Sequence, residues 1–481
     1  MRSGLYRVLA NIAFITGANL FGRLLNLVLH AALGRFFGPE GLGGYATAIA
    51  IAGYFMFMAD FGMSPRIVRE GAITPEQLDE EYANALGFKI AMGAVSLAIL
   101  ILVVRLLPYE DSVIELVFLL GLASIVRSFS YLNESVCRAR ERLDLEGAIG
   151  LLNAALFVGG TLILFYLGYS VRAVGWVSLG AASVQLVVSV LCARRFVSIR
   201  VKLPPWLRLG RAALPYATTS LSLLAFAQVD VLIVSMIESQ EFVGHYASVS
   251  RLLLIAGTFG ALAGAGVLPT ASRLYGRSDS ARFDALVNEA LRFALLVGGM
   301  AALGLAFISR PVMGLIYGEQ FADLYPLLRA GSIYVLFKFS VSVLAMVLTS
   351  IGRQGSRARA TLIGFASTVV LVLALTPYWG LAGTVGAMVG SEFIFMSCLC
   401  WFLSARIRWP SILRTVFALL VCGAIATWAH LALLKENGWL NLCIATIVPL
   451  LVYLGLLFIS GEGRRAWRFA RALHRGGSVI D

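Results

Sequence analysis

The sequence predicts an all-α integral membrane protein of about fourteen transmembrane helices, arranged as two pseudo-symmetric six-helix bundles followed by two further helices. Three observations predict it. The 481 residues are 59% hydrophobic and 14% charged, against about 25% charged in ordinary soluble proteins. Apolar runs of about eighteen residues or more recur from end to end, each long enough to cross about 30 Å of hydrocarbon as a helix. Finally, the first half of the chain is echoed in the second at an offset of just over 200 residues.

Taken in order, the first bundle holds spans near 8–33, 42–64, 83–107, 113–135, 147–169 and 171–193. The second holds spans near 212–237, 243–270, 290–309, 323–349, 359–378 and 381–404, and two more follow near 412–434 and 439–460. The first span carries Arg23 within it and lacks a small-residue cleavage pattern, so it is a retained helix and not a signal peptide. The expected domains are 1–200, 201–408, the appended pair 409–461 and a basic tail 462–481.

The net charge of +13 is distributed by topology. Lys and Arg sorted by alternating loops give 27 on one side and five on the other, with seven inside spans. This asymmetry places both termini and the loop 193–211 in the cytoplasm. It makes lipid head groups, and not nucleic acid, the partner of the basic surface. The six cysteines (137, 192, 398, 400, 422 and 443) and four histidines show no metal-ligand spacing and no disulfide framework. There is no GxxxxGK[ST] loop, no defensible catalytic triad and no long outward loop for a catalytic domain. An enzyme or a bound cofactor is therefore not expected.

Three blocks carry the repeat. EGLGGYAT (40–47) aligns with EFVGHYAS (241–248), and GMSPRIVR (62–69) with GVLPTASR (266–273). Asp79 then meets Asp284, and ALGF (85–88) meets ALRF (290–293). Two parallel bundles of this kind suit alternating access about a central site. The shared GxxPxxxR falls at the cytoplasmic end of the second helix of each half. There Pro is expected to end the helix, Gly to permit close approach and Arg to anchor among phosphates. Thr74 and Pro75 should then cap and start the next helix.

Ionisable residues inside spans are functional-site candidates by default. Thr16, Asn19, Arg23, Asn26 and His30 share one face of the first span, which lines either a watery cavity or a helix interface. Ser124, Arg127, Tyr131 and Glu134 form a similar stripe, with a closed Arg127–Glu134 network as the alternative to a binding role. Tyr334, Lys338 and Ser342 form a third, and Arg329 lies on the opposite face. Asp230 and Arg251 sit at similar depth, so an ion pair competes there with substrate contact. Asp60 and Glu392 are candidates for binding a coupling H⁺ or Na⁺, as is Asp230; the alternative for Asp60 is to snorkel or to pair with Arg66, and the repeat puts Gly264 opposite it.

RFFGPEGLGGYATA with ADFGMSPRIVRE resembles the amino-terminal signature of the polysaccharide transporter family, the Wzx-type flippases of the multidrug/oligosaccharidyl-lipid/polysaccharide exporter (MOP) superfamily. GLIYGEQFADLYPLLRAGSIYVLF (314–337) and TPYWGLAGTVGAMVGSE (376–392) extend the resemblance over about 400 residues. It implies a MATE-like fold that moves undecaprenyl-pyrophosphate-linked oligosaccharides, the repeat units of O-antigen, capsule or exopolysaccharide, across a bacterial inner membrane. It also implies a cationic cavity, here built from Arg23, Arg127, Arg251 and Lys338 with Asn19, Asn26 and Tyr131 at the sugar. A polysaccharide polymerase and chain-length machinery are the implied partners. The segment after GRQGSRAR (352–359) lacks an asparagine that many relatives carry, and the arginine-rich signature of the lipid II branch is not evident. A drug exporter of the same superfamily and a polyprenyl-sugar glycosyltransferase, polymerase or ligase are the competing readings.

Overall fold

The computed structural model describes the backbone of residues 2–202, 206–277, 279–433 and 439–475. Side chains within these ranges are described except those of 2–13, 15, 16, 19, 262, 263, 265, 439, 440, 442, 443, 470 and 472–475. The described secondary structure is entirely helical. Among the described residues ten helices are long and apolar enough to cross a membrane, and up to twelve if each of two bent pairs is one span. The chain is a multi-pass membrane protein.

Packing divides it into two compact units, Met1–Ala247 and Ser248–Asp481. The first holds α1 (Arg2–Asp60), α2 (Met63–Ile73), α3 (Leu78–Leu106), α4 (Asp111–Ala139), α5 (Leu143–Tyr166), α6 (Ala173–Ala193) and α7 (Trp206–Ile237). Helix α8 (Gln240–Gly276) begins in the first unit and continues into the second. The second unit adds α9 (Ser280–Phe307), α10 (Ser309–Tyr317), α11 (Tyr325–Gly331) and α12 (Ile333–Ser350). It ends with α13 (Gln354–Phe402), α14 (Trp409–Leu433), α15 (Trp439–Ile459) and α16 (Glu462–Arg475). The sequence repeat draws its boundary at 200/201, before α7. By packing, α7 goes with the first unit, because Gly62 and Gly53 leave room for its Tyr216, Ala217 and Leu224.

Two helices are far longer than one span: α1 has 59 residues and α13 has 49. Each is two helices joined across a non-helical glycine, Gly38 (φ 67°) and Gly380 (φ 53°). Positive φ strains any residue with a Cβ, so glycine sets both breaks. Pro39 then suits the restarting helix, whose first N–H groups have no partner in any case.

The GMSPRIVR segment breaks the chain differently from the expectation. The turn lies at Phe61 and Gly62, both with positive φ, and Pro65 sits in the first turn of α2 without interrupting it. Arg66 is buried and paired with Glu81 at 2.6 Å, while Arg69 reaches the Tyr216 hydroxyl at 3.0 Å. Pro75 starts a short 3₁₀ turn as expected, yet the Thr74 hydroxyl donates back to the Glu70 carbonyl and caps nothing ahead.

The repeat appears in the contacts. Asp79 accepts from the backbone N–H of Ser198, just beyond α6, at 2.8 Å. Its counterpart Asp284 accepts from Arg406, just beyond α13, at 2.9 Å. The equivalent buried tyrosines also match: Tyr45 stands edge-on to His30, and Tyr246 donates to Asp230. Gly43 and Gly244, another equivalent pair, lie back to back. A Cβ on Gly43 would overlap the Gln240 carbonyl, and one on Gly244 the Pro39 carbonyl. Close backbone approach through small residues is how helices associate where lipid removes the hydrophobic drive. The Thr47 hydroxyl, one turn on, bonds Gln240 at 2.9 Å.

Candidate functional site

The buried polar groups gather in a few centres, each built by helices placing charged side chains where water cannot satisfy them. The first joins the ends of α1 and α2 to α3 and α4. The Lys89 ammonium, fully buried, lies 2.5 Å from Asp60 Oδ1, 2.5 Å from the Ser128 carbonyl and 3.4 Å from Ser64 Oγ. Three acceptors thus meet its three N–H donors. Ser64 donates to the same Asp60 oxygen. Asp60 keeps 14% of its side chain exposed, so the carboxylate is the outward member of the pair.

The second centre is the face of α4 toward α6. Tyr82 donates to Asn133 at 2.7 Å, and Asn133 in turn donates to Ser189 at 3.0 Å. One turn away Gln185 donates to Glu134 at 2.8 Å. Arg127 reaches Ser178 at 3.4 Å and leaves its Nε buried without a partner. The expected stripe therefore exists, but its Arg127 and Glu134 are held separately by α6 and do not pair with each other. Tyr131, on the same stripe, is half-buried.

On α1 the stripe divides. Arg23 lies on the exposed face, Asn26 donates to the Gly22 carbonyl of its own helix at 2.8 Å, and His30 is buried against Tyr45. The side chains of Thr16 and Asn19 lie outside those described, as does Cys443. Asp230, besides its bond from Tyr246, accepts from the Val231 N–H at 2.8 Å.

In the second unit, Lys338 of α12 meets Glu392 of α13 at 3.1 Å and overlies the Tyr334 ring at 5.5 Å from its centroid. Gly257 of α8 leaves space for the lysine stem, since a Cβ there would meet Lys338 Cγ at 2.9 Å. Two residues chosen separately from sequence, one for substrate and one for a coupling ion, are thus a single pair. Ser342 donates to the Lys338 carbonyl and completes the stripe within its own helix. Arg251 is half-buried and within electrostatic reach of the buried Tyr317 hydroxyl. Arg329 stacks on Tyr325 and points to the Ala306 carbonyl.

Sequence reasoning missed Lys89. The signal was present: it is one of seven basic residues inside spans, six residues into the third. Asp60 is four residues from the end of the second, so a short connection brings both to one depth. The repeat carries a second trace, because the positions matching Asp60 and Lys89 are Gly264 and Ala294. Both charges are absent together. Among the described residues no group of three or more His, Cys, Asp or Glu could hold a metal ion.

Over 449 residues, 91% of this chain and 92% of the other, the protein is 22% identical to the probable low-salt glycan biosynthesis flippase Agl15 of Haloferax volcanii. Its fold is similar to that of the lipid II flippase MurJ in an inward closed conformation, with a TM-score of 0.75 and 17% identity across 92% of this chain and 98% of that one. It is also similar to an inward-facing MATE family transporter of the MOP superfamily, with a TM-score of 0.62 and 16% identity across 80% and 95%. The fold is the expected all-α MOP fold. Residues 8–275, more than half of the chain, match the model for polysaccharide biosynthesis proteins, and the chain belongs to that family.

Proposed function

We propose that this protein is a flippase for a lipid-linked oligosaccharide, moving a polyprenyl-pyrophosphate-linked glycan from the cytoplasmic to the periplasmic leaflet of the inner membrane. The observation that carries the reading is family membership over residues 8–275, joined to full-length similarity to a protein named as a glycan biosynthesis flippase. The chemistry of the chain agrees. Guanidinium and ammonium groups within spans offer charge-assisted donors to phosphate in a low-dielectric setting, and Lys338 is such a donor with part of its surface open.

In this reading both termini are cytoplasmic, and an H⁺ or Na⁺ gradient drives transport through Asp60, Asp230 or Glu392. The protein moves its cargo without covalent change and passes it to a polymerase at the outer leaflet. The cations proposed to meet the head group are Arg23 and Arg127 in the first unit and Arg251 and Lys338 in the second, with Asn19, Asn26 and Tyr131 proposed to meet the sugars.

The test is reconstitution in liposomes with a labelled undecaprenyl-pyrophosphate oligosaccharide, followed by an external glycan-cleaving enzyme. Protein-dependent change in the protected fraction is the expected result. A protected fraction indifferent to the protein, together with transport of cationic drugs, would replace this reading with that of a drug exporter.

A further inference from the structure

Glu392 is almost fully buried, with 2% of its side chain exposed, whereas its partner Lys338 retains 28%. One carboxylate oxygen, Oε2, receives the ammonium; the other, Oε1, is buried with no hydrogen-bond partner. Of the two partners, the lysine is therefore the one more open to an incoming anion. An unmet carboxylate oxygen is costly in a folded interior, and such groups concentrate at working sites. Tyr334 on α12 faces the pair, Gly257 on α8 brings no side chain, and Arg329 on α11 is turned to Ala306 and Tyr325.

We infer that Glu392 is an internal stand-in for the cargo's anionic head group, occupying Lys338 when no cargo is bound and yielding it in exchange for a proton. The inference rests on the flippase reading and specifies how its cation site is loaded. A phosphate-bearing head group takes the exposed side of Lys338. Glu392 loses its counter-charge in a buried position and takes one proton from water, because a stranded buried carboxylate is more costly than a neutral acid. On release the proton returns to water and the Lys338–Glu392 pair re-forms. Proton and head group load together, so this pair governs affinity, and under this inference the driving ion of the flippase reading falls to Asp60 or Asp230 instead of Glu392.

The experiment titrates the purified full-length protein in detergent with farnesyl pyrophosphate, a short polyprenyl-pyrophosphate probe. Calorimetry in two buffers of different ionisation heat counts the protons taken up. Wild type is expected to take up one proton more than Glu392→Gln, and Glu392→Gln to bind about tenfold more tightly because its internal competitor is gone. Glu392→Ser carries the same expectation should Glu392→Gln fail to fold. The double variant Lys338→Gln/Glu392→Gln, which strands no charge, is expected to lose that gain and bind more weakly than wild type. Equal proton uptake and equal affinity in wild type and the Glu392 variants overturn the inference. If wild type still binds the probe and moves the oligosaccharide in liposomes, that result leaves the flippase reading intact; failure of both overturns the reading itself.

Discussion

Lys89 and Asp60 form a buried ion pair 2.5 Å apart, in which the lysine is wholly enclosed and the aspartate partly open. The pair joins the end of α1 to α3, and its third partner, the Ser128 carbonyl, brings in α4. Removing one member of such a pair leaves a charge with no counter-charge, which costs about 3 kcal/mol or more, whereas removing both is often near neutral. Lys89→Ala is therefore expected to lower the thermal midpoint in detergent markedly, and Lys89→Met/Asp60→Asn to recover most of the loss. Scanning fluorimetry of the two variants decides it; equal losses would mean that the two side chains are not coupled.

Asn133 links Tyr82 on α3 to Ser189 on α6 through two buried hydrogen bonds. Tyr82→Phe removes one donor and is expected to cost about 1 kcal/mol. Asn133→Leu strands the Tyr82 hydroxyl and removes the donor to Ser189, which keeps its own bond to the Leu186 carbonyl, and is expected to cost roughly 2–4 kcal/mol. Denaturant titration of the two variants should rank them in that order, and the reverse ranking would place the strain elsewhere.

The aspartates of the repeat should behave as a matched set with local effects. Asp79 and Asp284 each fix the segment that follows a helix, at Ser198 and at Arg406. Both sites are partly exposed, so substitution by Ala is expected to cost about 1 kcal/mol or less globally. Hydrogen exchange should quicken near 198 in Asp79→Ala and near 406–408 in Asp284→Ala, each without effect at the other site.

Gly43→Ala and Gly244→Ala are each expected to disrupt the close approach of α1 to the first turns of α8, because the added carbon meets backbone and not a movable side chain. Size-exclusion profiles of the detergent-solubilised variants measure this. Gly150→Ala, at a site with open space around its Cβ position, serves as the tolerant control.

The long apolar runs made the helices legible, and the breaks at Gly38 and Gly380 were marked by RFFGPEG and TPYWGLAG. Periodicity also found the polar faces of α4 and α12. It did not say which neighbour each face meets. Arg127 and Glu134 share a stripe yet bond different residues of α6, because spacing fixes direction about one axis and tertiary packing chooses the partner. Lys89 stands alone in an apolar run, and its partner is 29 residues upstream. Lys338 and Glu392, 54 residues apart, were each visible as a misplaced charge, but their union is a property of the fold.

The back-to-back glycines Gly43 and Gly244 carry an evolutionary consequence. At most packed positions an oversized residue can be rescued by shrinking its neighbour. Here the obstacles are the Gln240 and Pro39 carbonyls, main-chain atoms that every residue type supplies. No second-site change of side chain can make room, so this crossing is closed to compensatory drift, and descendants that keep this geometry must keep both glycines.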